Sequence, residues 1–190
     1  MQSITKSNRQ RILYAVIVLF GILSDQISKS LAVKYLSTRD TLPLIRDVFH
    51  FTYVENRGAA FGMLKDHRWI FLVFSTIAIV ALGIYLFRGV SYFSDKREDG
   101  TYPPLSTLGG VALSLIVSGG IGNMIDRLGF GFYVNESGMG EVVDFIDFCG
   151  IWNAIFNGAD SFVCVGAGLL ILALVLDIIK EYKSERSKKQ

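Results

Sequence analysis

The stretch "FNGADSFVCVGAGLLILALVLDIIK", residues 156–180, decides the fold class. It holds no charge from Ser161 to Leu176 and stays apolar to Ile179, past Asp177. A bilayer span needs about 20 such residues. Asn157 and Asp160 stand at its entrance, where an ionised group costs several kcal/mol unless something holds it.

Three more apolar runs share this character: 12–24, 69–87 and 105–125. The first reaches span length only by taking in Asp25 and Lys29 and continuing to Leu36. Of the 190 residues 51% are hydrophobic, and the formal charge is only +2. These features predict a mainly α membrane protein of one integral-membrane domain. Its spans lie near 12–36, 69–87, 105–125 and 161–179. Residues 37–68 and 126–160 form the outer segments, and 180–190 a basic cytoplasmic tail.

The first run resembles a signal peptide, with Lys6, Arg9 and Arg11 before an apolar core. No small-x-small cleavage site follows, so an uncleaved anchor is expected. With four spans, one side carries 11 Lys/Arg and the other 6. The excess of basic residues places both termini in the cytoplasm.

The segment "DVFHFTYVENRGAAFGML", residues 47–64, alternates Phe49, Phe51 and Tyr53 with His50 and Thr52. This period of two predicts a strand at the membrane surface, broken into a turn by Gly58 and Gly62. An aromatic belt would look the same. Glycines 109, 110, 119, 120 and 122 in the third run let helices approach closely in lipid.

Polar residues collect near the outer boundary: Asp25, Gln26, Asn56, Asn123, Asp126, Asp144, Asp147, Asn157 and Asp160. Asp25 and Lys29 lie four apart on one helical face and can neutralise one another. Arg127 suits a helix C-terminus and can pair with Asp25 or Asp126. Asp160 fits an N-cap at the start of the fourth span. Asp144, in "EVVDFIDF", has apolar neighbours and no nearby base, so burial would raise its pKa.

Two aspartates in unequal surroundings, sharing one proton, can activate water and polarise a carbonyl. No HExxH, GxSxG or histidine beside a nucleophile offers a substitute. Cys149, Cys164, His50 and His67 show no metal-ligand spacing, so neither a metal nor another cofactor is expected. Nothing points to a nucleic-acid partner. A rival reading is a small proton- or ion-conducting protein with Asp25, Asp126 and Asp160 along a polar path. A structural assembly factor is a third.

Five motifs in order, "DQISK" (25–29), "ENRGAAFG" (55–62), "GGIGNMIDR" (119–127), "VVDFIDF" (142–148) and "FNGADS" (156–161), resemble the signal peptidase II family. The resemblance implies an aspartic endopeptidase of the bacterial inner membrane with its active site near the outer face. Its substrates would be diacylglyceryl-modified prolipoproteins, cut before the lipidated cysteine while their acyl chains stay in membrane lipid. It implies Asp144 and Asp160 as the catalytic pair, and it, rather than the residue chemistry, prefers Asp144 to Asp126. Asn56, Gly58, Asn123, Asp126, Arg127 and Asn157 would bind or support substrate, with Asp25 and Lys29 behind them. The long 128–141 connection departs from the family pattern, and its glycines predict an inserted flexible hairpin or lid.

Overall fold

The computed structural model describes residues 2–39, 41–56, 68–93, 107–135 and 140–188. Four helices run through it: α1 (Gln2–Leu36), α2 (Arg68–Phe93), α3 (Thr107–Arg127) and α4 (Gly158–Lys188). Among the described residues, three stretches are long and apolar enough to cross a membrane: Asn8–Leu36, Thr107–Arg127 and Gly158–Ser187. The helix α2 adds a shorter apolar stretch, Leu72–Phe87.

Apolar side chains cover the outside of these helices. Phe20, Phe74 and Ile171 are each about two-thirds exposed. A helix that is apolar on its outer face needs a non-aqueous solvent. The inner face of α3 is made of small residues: Gly109, Gly110, Ala112, Ser114, Ser118, Gly119 and Gly122 are all buried. With so little side chain between them, α3 and α4 pack backbone to backbone. A side chain on Gly119 would collide with the carbonyl of Ala159, and one on Gly166 would sit 2.8 Å from the Ala112 carbonyl oxygen.

One four-stranded antiparallel sheet, in the order β1-β2-β3-β4, completes the fold: β1 (Leu42–Ile45), β2 (Phe49–Asn56), β3 (Val142–Asp147) and β4 (Ile155–Phe156). The strand expected around Phe49–Asn56 is β2. The alternation seen in the sequence does not run through it unbroken. Phe51 pairs with Ile146 but Val54 pairs with Asp144, so β2 carries one extra residue between them. Such a bulge swaps the faces that the following side chains occupy. His50 and Thr52 lie with Asp147, whereas Val54 and Asn56 lie with Asp144.

The strand β3 is not a surface strand. Val142, Val143, Asp144 and Phe145 are buried on both faces. Val143 and Phe145 form a core with Ala32 and Leu36 of α1, which seats the sheet on the C-terminal end of that helix. Within the 128–141 segment, Val134 and Gly140 form an antiparallel bridge, and the Asn135 amide donates to Glu141 at 2.7 Å. The segment is therefore a hairpin at its base. Residues 136–139 fall outside the described residues.

Gly166→Val should lower the thermal midpoint in detergent, at a cost of about 1–3 kcal/mol, because the Ala112 oxygen at 2.8 Å and the Ile116 nitrogen at 3.1 Å are backbone atoms that cannot swing away. Gly168→Ala, with nothing within 4 Å, should leave the midpoint unchanged or raise it. Equal effects of the two would show that α3 and α4 are not in close contact.

Candidate active site

Lys29 is the hub of the polar residues. It is fully buried on α1, and its Nζ lies 2.7 Å from Asp25 Oδ2 and 2.6 Å from Asp126 Oδ2. It donates a third bond to Asn123 Oδ1 at 2.9 Å. A buried ammonium survives only with its charge and its three protons matched. Here two carboxylates and one amide oxygen match them. Asp126 thus pairs with Lys29 rather than with its sequence neighbour Arg127, whose Nη1 donates to the Asn123 carbonyl at 3.2 Å.

Asp25 also reaches across to α4. Its Oδ1 accepts the backbone N–H of Ala159 at 2.8 Å, one of the orphan donors of the helix start. Gly122 makes that reach possible, since a Cβ there would lie 2.5 Å from Asp25 Oδ2. Gln26 supports the same group by donating to Asp126 Oδ1 at 3.2 Å.

Asn157, rather than Asp160, caps α4. The Asn157 Oδ1 accepts the Asp160 N–H at 2.9 Å, and Asp160 Oδ2 accepts the Asn157 N–H at 3.2 Å. This is a reciprocal capping box, with the cap at Asn157 and the carboxylate three residues on. The expectation of Asp160 as N-cap was placed three residues too late: the helix begins at Gly158.

The cap orients the whole network. With Oδ1 committed to the helix, the Asn157 Nδ2 must face the other way. It donates to Asp144 Oδ1 at 2.6 Å and to Asn123 Oδ1 at 3.0 Å. Asn123 Oδ1 also faces Lys29, so its Nδ2 is turned to Asp160 Oδ1, at 2.8 Å. Asn56 completes the set by donating to Asp144 Oδ2 at 2.9 Å. Asp144 and Asp160 are therefore linked through two amides of fixed polarity.

Asp144 is held in an unfavourable setting for charge. Burial first, and the nearby Asp160 carboxylate second, push its pKa up to about 7, against the opposing pull of the Asn56 and Asn157 hydrogen bonds. The rise expected from its apolar sequence neighbours has the same main cause. The sequence reading missed the repulsion from Asp160.

The structure thus gathers Asp25, Lys29, Asn56, Asn123, Asp126, Asp144, Asn157 and Asp160 into one network, with Arg127 at its edge. Gly58 lies outside the described residues. Two contributions had no signal in the sequence: the Asp25 bond to the α4 N-terminus and the bulge that brings Asn56 to the face of Asp144.

A family model for signal peptidase (SPase) II matches residues 17–176. The chain is 39% identical over 160 residues to a lipoprotein signal peptidase of Clostridioides difficile (strain 630), covering 84% of this chain and 93% of that one. It is 42% identical over 159 residues to one of Halothermothrix orenii, covering 84% and 92%. It is also similar to a bacterial membrane enzyme solved by the in meso method at 2.3 Å: 30% identity, TM-score 0.66, covering 87% of this chain and 89% of that one. A second such enzyme, solved at 1.9 Å, gives 32% identity and a TM-score of 0.63.

Apolar helices around a buried carboxylate–amide network, with these likenesses, define a bacterial membrane protease. The chain belongs to the signal peptidase II family. That membership sets aside the ion-conducting and assembly-factor readings.

Lys29→Met should destabilise the fold by about 3–5 kcal/mol, because Asp25 and Asp126 would be left buried and facing each other. Adding Asp126→Asn should recover part of the loss in a thermal scan; no recovery would mean that Lys29 does not act through this pair. Asp144 makes a second, pH-dependent contribution. Folded, it holds its proton up to about 7, against about 3.9 in the unfolded chain. Its contribution is fully present below about pH 4 and lost as pH rises through about 7. The stability difference between Asp144→Asn and wild type should therefore move in favour of the variant between pH 4 and pH 8.

Proposed function

We propose that this protein is a membrane aspartic endopeptidase. It removes the signal peptide from diacylglyceryl-modified prolipoproteins by cutting before the lipidated cysteine. The observation that carries this reading is the pairing of Asp144 with Asp160 through Asn157 and Asn123, which leaves two carboxylates in unequal surroundings.

Asp144 is the acid. With its pKa near 7 a large share of it stays protonated at neutral pH, and in that form it polarises the scissile carbonyl. Asp160 is the base and takes the proton from the attacking water. Asn123 and Asn157 fix the distance and orientation of the two groups. Because the carboxylates interact, their titration belongs to the pair.

Asn56 and Arg127, with the amides, orient the substrate backbone and the lipid headgroup. Lys29, Asp25 and Asp126 support them from behind. This chemistry needs no cofactor. The acyl chains of the substrate stay in the surrounding lipid, and entry is lateral.

The helix α2 is the fourth span. Its 26 residues are about 39 Å long, enough for a hydrocarbon layer of about 30 Å. Four spans and the excess of basic residues on one side support a topology with both termini in the cytoplasm and the sheet at the outer face.

Purified wild type should cleave a diacylglyceryl-modified prolipoprotein. Asp144→Asn and Asp160→Asn should each lose turnover by at least about 100-fold, the order expected for general acid–base groups, while still binding substrate. Normal turnover in folded Asp144→Asn would sink the assignment and turn attention to Asp126. The pH profile should fall on the alkaline side through a group near 7. Asn56→Leu removes a hydrogen bond that favours the carboxylate of Asp144, so it should move that limb to higher pH.

A further inference from the structure

A second cluster of reactive side chains lies at the far end of the β2–β3 pair. His50 on β2 stands directly opposite Asp147 on β3, and Cys149 follows two residues beyond. The Cys149 Sγ approaches His50 Nδ1 at 2.9 Å. One ligand atom from each of the three lies within 4.8 Å of the others. By strand alternation Asp147 faces away from Asp144, so this cluster is on the opposite face of the sheet from the aspartate network.

We propose that His50, Asp147 and Cys149 form a binding site for a borderline divalent metal ion, with Zn²⁺ as the best match. One sulfur, one imidazole nitrogen and one carboxylate oxygen make the ligand set that Zn²⁺ favours over the hard ions Mg²⁺ and Ca²⁺. Zn–S and Zn–N bonds of about 2.0–2.3 Å require donor atoms within about 4 Å of one another, a small adjustment from the spacing present here.

One further observation points the same way. Thr52 donates to Asp147 Oδ2 at 2.8 Å, which orients that carboxylate from behind as metal ligands usually require.

On binding, Cys149 gives up its thiol proton to solvent, the imidazole coordinates in its neutral form, and Asp147 binds as the carboxylate. Three protein ligands leave the fourth tetrahedral position to water. The ion would tie the turn at Gly150 to β2. Because both strands continue to Asn56 and Asp144, it would also hold the pairing that brings those residues together. The sequence carries no trace of this site, since His50 and Cys149 are 99 residues apart.

The test uses tag-free, full-length Cys164→Ser protein, which removes the exposed thiol as a competing ligand. Titration with Zn²⁺ alone should show one saturable equivalent, with a rise in thermal midpoint. Co²⁺ should produce a thiolate-to-metal absorption band. Cys149→Ser should abolish the band, and His50→Ala should weaken Zn²⁺ binding at least tenfold. Both side chains are only half-buried, so the variants should keep the wild-type midpoint without metal. The absence of saturable binding to the parent protein overturns the proposal, as does undiminished binding in the folded variants.

Discussion

The buried ammonium of Lys29 sets the polarity of everything around it. An ammonium only donates, so every group that touches it must accept. Asp25, Asp126 and Asn123 do so, and α1 and α3 are thereby locked together. Because Asn123 spends its oxygen on Lys29 and Asn157, its amide nitrogen is left for Asp160. A methylene chain carrying one positive charge thus dictates which face of Asn123, one hydrogen bond away, meets a catalytic candidate. Such a network is costly when half satisfied and rigid when complete.

The other constraint enters from the backbone. The first turn of α4 has N–H groups with no partner inside the helix. Asp25 satisfies one and Asn157 another. The capping box therefore does more than end a helix. It turns the Asn157 amide so that its nitrogen faces Asp144, and it places Asp160 on the same first turn. Helix start and candidate chemistry are one arrangement.

The sheet contributes a change of face. A regular β2 would point Asn56 away from Asp144; one extra residue between Phe51 and Val54 points it toward that carboxylate. The same bulge leaves His50 and Thr52 on the opposite side with Asp147. A strand pair only a few residues long thereby serves two separate polar clusters. Its apolar side chains, Val143 and Phe145, rest on Ala32 and Leu36 of α1.

Much of this protein is legible from sequence alone. Uncharged runs of membrane length define helices because hydrocarbon demands them, and small residues along α3 announce close packing. The "GGIGNMIDR", "VVDFIDF" and "FNGADS" motifs also name the residues that meet. Sequence places Asp25 beside Lys29 because four residues make one helical turn. It does not show that Asp126 joins them, that Asn157 is the cap, that β2 is bulged, or that His50 faces Cys149. Those are contacts between elements far apart in the chain, where local periodicity carries no information. Only the packing of α1 against α3 and α4, and of the sheet against α1, decided them. Burial then turned ordinary carboxylates and amides into a network with a single arrangement of donors and acceptors.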